Sequence, residues 1–558
     1  MGWAGRLFLF PKMIGVVATK DEHAAVAEFF ELFKTPWEFW RPGTQYDVLI
    51  CSNTPAPENN ARLLLLYGSQ RQAFEKYQGL KESCVPGRNS VVFRNERIPI
   101  YGACLLLEGL QNEVLIHKGT SSIAPDAQFV VRLGFDLFAE VSHLLTKGQP
   151  IELATVPTLE LHIALLRELI VSHGVTLVEI PPVPAGHRFI VSLTHDVDHP
   201  RISQHWCNHT MFGFLYRAVF GSVMDLCQGR KSLSQLVANW KAAFSLPLVF
   251  AGVVRDFWNQ VDAYLELERG LAATFFVIPT KGNPGVDCQH QVRTKRAAAY
   301  ALADIAEDLN KLLSAKREIA VHGIDAWRDS AKGREEREQV QKITGDRETG
   351  VRMHWLYFDS QSPATLEKAG FSYDSTIGYN ETIGYRAGTT QVFKHADVDH
   401  LLELPLHVMD TALFYPPYMN LATHQVKAAV LPLIENVTRF GGVLTINWHD
   451  RSLGPERLWG DAYKALLTDL RGRSPWFATG SQAVCWFRKR RTASFVKSGE
   501  NDARVRVLTA LDPISAALPP LTLRIYNPTS SRQKEGAKGT GVFEDITIDG
   551  SEGVLVAA

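Results

Sequence analysis

From Arg188 to about Arg488 the chain alternates short β-rich runs with longer helical ones, and this alternation constrains its fold more than any other feature. Phe189–Leu193, Ala273–Ile278, Ile319–Val321 and Val443–Trp448 are strand-like, with helical stretches in between. Parallel strands joined by crossover helices give an α/β sheet or barrel. In both, the ligand sits beyond the carboxyl ends of the strands, so chemistry is to be sought where these runs stop.

They stop in ionisable residues. Phe189–Thr194 is followed by His195, Asp196, Val197, Asp198 and His199, and Glu318–Val321 by His322. Gly350-Val351 leads into Arg352, Met353, His354 and Trp355, and Val443–Trp448 into His449 and Asp450. Such groups are costly to bury unless paired or metal-bound. Two carboxylates two residues apart can divide labour, one binding a metal and the other accepting a proton. Imidazole with carboxylate is a zinc donor set that leaves a position open for water. A solvated turn is the alternative for the first cluster, and a hydrogen-bonded structural histidine for each of the others taken singly. Their recurrence at separate strand ends favours a metal site.

Residues 1–185 mix strand-like runs (Tyr46–Ser52, Arg62–Tyr67, Tyr101–Leu107) with helix-like ones such as Phe135–Leu145, which predicts an α/β domain. It carries no Gly-rich phosphate loop and no cluster of histidines and carboxylates. Pro181–Gly186 marks a boundary. Arg488–Arg491 reads as a solvated domain edge, with a nucleic-acid or lipid patch as the alternative, and the polar stretch to Asp502 as a second linker. Alternation in Leu521–Tyr526 and Phe543–Ile548 predicts a small β module. The expected domains are 1–185, 186–490 and 503–558.

Lys plus Arg equals Asp plus Glu at 59 each, so no global field gathers DNA, and nucleic acid is excluded as the expected partner. Seven cysteines without a C-x-x-C pair suggest neither a disulfide framework nor a thiolate zinc knuckle, and a cytoplasmic location is expected. The N-terminal LFLF run before Pro11 is too short for a secretory signal. Met211–Cys227 is the most membrane-like stretch. It contains Arg217 and Asp225 and falls short of the roughly 20 residues a span needs. The expectation is a buried or surface-docked helix, not a transmembrane span, with peripheral membrane contact through 211–227 left open.

Taken in order, Thr194-His195-Asp196-Val197-Asp198, Ala273–Val277, Val321-His322-Gly323, Arg352-Met353-His354-Trp355, Gly384–Thr389 and Thr445–Asp450 resemble the motifs of the polysaccharide deacetylase superfamily, the chitooligosaccharide deacetylase or carbohydrate esterase 4 group. The resemblance covers about residues 188–487 and implies a distorted (β/α)7 barrel that hydrolyses an N-acetyl group with a divalent metal. Carried over by position, it implies Asp196 as general base, Asp198 and His322 as metal ligands, Arg352 as the residue that orients the base, and His449 as general acid.

Two departures matter. Val197 separates the aspartates, and the position four after His322 is Ala326, where the family's second histidine ligand would stand. His354, two residues after Arg352, is the candidate replacement. The long stretch from Asp198 to Ala273 predicts a helical insertion over the mouth of the site. Within it His205 and His209 would share one helical face, but no third ligand is near, and a structural or substrate-contacting role is expected.

Asp374 and Asp410 are candidates for steering charge around His449 or Arg386. Arg386, Asp450, Trp448 and Trp355 are candidate substrate contacts. The two tryptophans, with Tyr415-Pro416-Pro417-Tyr418, are a candidate sugar platform. The expected activity is removal of an N-acetyl group from an amino sugar in a glycan or glycan precursor, with zinc as the expected ion. The alternatives are a catalytically silent barrel that binds glycan or assembles with partners, and an amidohydrolase acting on a non-sugar amide.

Overall fold

The computed structural model describes residues 13–58, 61–70, 90–93, 96–105, 115–118, 129–499, 502–508, 517–528, 543–548 and 555–556. Ile190–Val197 is buried at all eight positions, as a strand covered on both faces must be. Its side chains alternate. Val191, Leu193 and Val197 enter a large apolar cluster, while Thr194, Asp196 and Asp198 fall on the opposite face. The same two-residue period sorts the neighbours: Ile319, Val321, Val351, Met353, Leu444, Ile446 and Trp448 lie in the apolar cluster. His322, Arg352, His354, Asn447 and His449 occupy the alternate positions. One face of the sheet is therefore a polar row and the other a helix-covered core.

Eight parallel strands follow one another in the order Leu402–Glu403, Tyr373–Asp374, Gly350–Met353, Glu318–Gly323, Ala273–Val277, Ile190–Val197, Val443–Asn447, Val408–Met409, and Trp476–Phe477 adds a short ninth beside Ile190. The two edge strands are far apart in this order but only four residues apart in the chain. Such a link reaches at most about 18 Å, whereas eight flat strands would span roughly 34 Å. The sheet must curl, and backbone bonds record it: Leu404 N–H donates to Asp374 O at 2.7 Å and His407 N–H to Thr445 O at 3.1 Å. The result is a distorted (β/α) barrel with the polar row inside.

The chain divides into two compact units, one of residues 149–156 and 187–485, which holds the barrel, and one of 1–148, 157–186 and 486–558. The second unit carries a six-stranded sheet in the order Trp37–Phe39, Ile14–Val17, Val48–Ser52, Leu63–Tyr67, Phe129–Leu133, Leu115–Lys118, parallel except for the last pair. The predicted helix at 135–145 forms as Leu137–Thr146, its N-terminus capped by the Asp136 carboxylate. Of the expected strand Tyr101–Leu107, positions 106 and 107 lie outside the described residues. Its described part, 101–105, is irregular, and Glu96–Pro99 pairs with Ser90–Phe93 instead.

Two boundary readings are corrected. Arg488–Arg491 is not a solvated edge but the end of helix Gly480–Thr492. Arg490 is 1% exposed and donates to the carbonyls of Ile180, Glu31 and Leu32, and Arg491 is paired with Glu28. Capping carbonyls at other element ends turns these cations into internal ties. The stretch to Asp502 is not a linker either, because Ser494–Gly499 pairs antiparallel with Asp502–Leu508. The C-terminal strand Leu521–Tyr526 pairs with both Phe543–Ile548 and Leu177–Glu179, which joins residues 503–558 to the first unit rather than leaving them apart.

The insertion after Asp198 is helical. It holds His209–Tyr216, a π turn at Arg217–Gly221, Ser222–Cys227 and Leu233–Phe250, packed on a core of Ile202, Phe214, Ala218, Leu246 and Trp258. No helix among the described residues is long and apolar enough to cross a membrane.

Candidate metal and active site

At the carboxyl ends of three strands, Ile190–Val197 and the neighbouring pair Glu318–Gly323 and Gly350–Met353, Asp198, His322 and His354 bring one donor atom each together. His354 Nδ1 lies 2.9 Å from His322 Nε2, and Asp198 Oδ1 lies 3.3 Å from each nitrogen. Donors bound to one ion at about 2.0–2.2 Å are separated by this much. His322 Nδ1–H donates to Arg352 O at 3.0 Å, so its Nε2 lone pair faces the cluster. Burial draws His354 down to about 4 against the opposing pull of Asp198, which keeps its imidazole in the neutral ligand form. Asp198 Oδ1 is buried without a hydrogen-bond partner, an arrangement that costs free energy unless a cation completes it. The donor set and this orphaned oxygen fit a divalent ion.

Asp196 lies one pleat before Asp198 and shares its face. Its Oδ1 accepts from Arg352 at 2.9 Å and its Oδ2 from Asn447 Nδ2 at 2.8 Å. Burial alone would raise its pKa, but Arg352 first, and then His322 and His449, hold it below the usual carboxylate range. Arg352 is in turn fixed by Thr194 Oγ1 and by the hydroxyl and carbonyl of Ser375, and its guanidinium lies over the Phe276 ring. Asp196 Oδ2 is 3.9 Å from His322 Nε2, beside the donor triangle and outside it.

His449 faces the triangle from the other side, its Nε2 3.8 Å from Asp198 Oδ2. Its Nδ1–H donates to Asp410 Oδ1 at 2.6 Å, and its backbone N–H to Asp410 Oδ2 at 2.8 Å. Burial pulls the imidazole pKa down. Asp410, followed by Asp198 and Asp196, overrides it and lifts the value to about 10, so His449 carries a proton at neutral pH. Asp410 is anchored further by Ser452 Oγ, which Arg457 also contacts at 3.0 Å.

The remaining predicted residues divide. Trp355 is 41% exposed, next to His354, and remains available to a ligand. Trp448 is not: it is fully buried in the apolar cluster, stacked on Tyr463. The platform expectation is corrected there, because Trp448 alternates with Asn447 and His449 and must point away from the site. Asp450 accepts the backbone N–H groups of His199 and Arg451 at 2.9 and 2.8 Å, and so braces the loop. Arg386 donates to Gly378 O at 2.9 Å rather than reaching the cluster. Asp374 is paired in register with Glu403 and does not contact His449.

His195 points into the core, where its Nδ1–H donates to Trp448 O at 2.7 Å and its Nε2 lies 2.8 Å from Glu268 Oε1. His205 and His209 do not share a helical face. His205 ends a 3₁₀ turn and its Nε2 lies 3.2 Å from His199 Nδ1, while His209 opens the next helix. Tyr415 contacts Arg457, and its ring stacks near Tyr418. Asn447 and Thr194 escaped the sequence reading. Counting in twos from His449 and Asp196 would have found both.

No family model matches the chain, and none of the curated proteins matches it. Among solved structures it is similar to a protein described as a polysaccharide deacetylase from Mycobacterium smegmatis, with 20% identity over 56% of this chain and 95% of that one and a TM-score of 0.32. It is also similar to Puue allantoinase, with 16% identity over 55% and 93% and a TM-score of 0.35. The third is Agd3, a carbohydrate deacetylase, with 8% identity over 98% and 99% and a TM-score of 0.34.

Proposed function

We propose that the protein is a metal-dependent carbon–nitrogen hydrolase that removes the acetyl group from an N-acetylated amino sugar in a glycan or glycan precursor. One observation carries the reading. A three-donor cluster, Asp198, His322 and His354, lies between an ionised carboxylate and a protonated imidazole, held by Arg352 and Asp410 respectively. A divalent ion held by those three donors, zinc in our reading, would supply a Lewis acid of the kind that draws the pKa of water from about 15.7 toward roughly 7.

The chain's own groups do the rest. Asp196 accepts the proton of the attacking water. Its two hydrogen bonds leave a lone pair on each oxygen, and Arg352 fixes the carboxylate plane. His449 donates its Nε2 proton to the departing amine, and Asp410 holds the ring in the tautomer and orientation that allow it. Trp355 offers a ring face to the sugar at the rim.

The test joins metal analysis to acetate release from chitooligosaccharide. A stoichiometric divalent ion together with acetate release supports the proposal. Metal without release from any N-acetylated glycan shifts the reading to a non-sugar amide, and a metal-free, inactive chain supports the silent-barrel reading. His354 at 2.9 Å from His322 supports the first reading over the last, because it gives the cluster a third donor.

A further inference from the structure

The insertion that follows Asp198 buries one stripe of its longest helix and exposes a second, equally apolar one. In Leu233–Phe250 the inward stripe is Leu236, Ala242, Leu246 and Val249. The outward stripe is Leu233, Val237, Trp240, Phe244 and Leu248, all exposed, with Phe244 at 79%. At 100° per residue these five occupy an arc of about 80°. The neighbouring segment repeats the pattern: Phe212, Tyr216, Phe220 and Met224 recur every four residues and are exposed, and the Tyr216 and Phe220 rings lie 6.1 Å apart. Trp240 Nε1–H donates to Val219 O at 3.4 Å, so the two segments are side by side. Between them opens a cavity of about 730 Å³ lined by Trp206, Met211, Leu215, Leu246, Pro247 and Phe250, with no charged wall. A water-facing helix pair ordinarily carries polar residues in these positions.

The charge on this segment is mostly positive. Residues 206–254 contain Arg217, Arg230, Lys231 and Lys241 against the single carboxylate of Asp225, a net of +3 in a chain whose total is zero. The rest of the chain therefore carries −3. Arg217 is paired with Glu456 and Lys231 with Asp225, which leaves Arg230 and Lys241 as the cations without a carboxylate partner among the described residues. An exposed aromatic and aliphatic face flanked by cations, in helices too short and too charged to span, is the pattern of a segment that lies in the headgroup layer of an anionic bilayer. A second copy meeting this face across a two-fold axis would bring like charges together.

We infer that the helical insertion, through Phe212, Phe220, Trp240 and Phe244, docks the protein on an anionic lipid surface. The inference does not depend on the deacetylase reading, because it concerns where the chain sits and not what it cleaves. The docking face is tied to the loop that follows His449. Arg217 pairs with Glu456 at 3.0 Å, Lys231 Nζ donates to Glu456 O, and Asn239 Oδ1 accepts from Glu456 N–H. A membrane contact there would keep the barrel mouth close to the lipid surface.

Co-sedimentation of the full chain with vesicles of phosphatidylglycerol and phosphatidylcholine, against phosphatidylcholine alone, tests the inference. We expect binding to the anionic vesicles that weakens with added salt and is about 10-fold or more weaker for Phe244→Glu and for Phe220→Glu. Lys241→Glu should weaken anionic binding roughly 10-fold and leave the weak neutral binding as it is. Both phenylalanines are exposed, so the variants should keep the wild-type unfolding midpoint. A melting scan checks that, and Phe212→Ser with Trp240→Ser provides a milder pair should either glutamate variant melt early. Absence of sedimentation with anionic vesicles, or equal binding by the wild type and correctly folded variants, overturns the inference. So does a concentration-dependent dimer abolished by Phe244→Glu in a chain that ignores vesicles.

Discussion

Replacing Asp410 by Asn separates charge from position at His449. The amide keeps the shape of the carboxylate and can still accept from Nδ1–H, but it removes the negative charge that does most to lift His449 to about 10 from its ordinary 6.5. With a pKa near 10 the imidazole is almost wholly protonated at both pH 6 and pH 8. With a pKa near 6.5, about three quarters is protonated at pH 6 and about 3% at pH 8. If His449 delivers a proton to the leaving amine, the loss of rate should be under twofold at pH 6 and about 30-fold at pH 8. The alkaline limb of the pH–rate profile should move to lower pH by the same argument. The assay is acetate release from chitooligosaccharide between pH 6 and 9, with metal content measured on each sample. A loss equal at every pH would refute the charge argument and leave Asp410 as a positioning residue.

Removing His354 as His354→Ala should weaken divalent-metal affinity by at least the 10- to 100-fold that loss of a supporting group already causes, as read by equilibrium dialysis. Asp196→Asn should keep its metal while turnover falls by roughly 10² to 10⁴; loss of metal together with activity would show that Asp196 is itself a ligand. In the other unit, His162 is fully buried, neither ring nitrogen has a hydrogen-bond partner, and burial holds its pKa down to about 3. The folded chain keeps this imidazole neutral while the unfolded chain protonates it near 6.5, so stability is lost as pH falls from about 6.5 toward 3. At pH 5 the penalty is about 2 kcal/mol. His162→Leu should raise the unfolding midpoint at pH 5 more than at pH 8.

Much of the barrel was legible because buried parallel strands are short apolar runs that stop abruptly, and Ile190–Val197 could be read on that basis alone. The Asp196–Asp198 spacing puts both carboxylates on one face of a strand. The same rule, applied to Thr445–Asp450, would have sent Trp448 to the core and Asn447 to Asp196. Arg490 was misread for a different reason. A run of four cations looks solvated in sequence, and nothing local shows that three distant carbonyls await one guanidinium. The short edge strands Tyr373–Asp374, Leu402–Glu403 and Val408–Met409 carry too few residues for any periodicity to register.

His354 shows how a three-donor cluster can form where the motif's second histidine is absent. His322 and Arg352 are paired in register on adjacent parallel strands, so His354, one pleat further along, reaches the face to which His322 already points. The chain then has to leave the strand at once, and it does so through two non-glycine residues in the left-handed region, Trp355 at φ 64° and Leu356 at φ 54°. Each costs of order 1–3 kcal/mol and persists only where its surroundings over-determine it. Arg296 supplies that constraint. Its guanidinium, 1% exposed, donates to His354 O through Nε at 3.2 Å and Nη2 at 2.9 Å, reaches Pro284 O, and stacks on Tyr357. A strained turn clamped by a buried arginine thus presents an imidazole where Ala326 offers none. A pattern that looks for the second histidine four residues after the first cannot see His354, because this donor comes from the next strand.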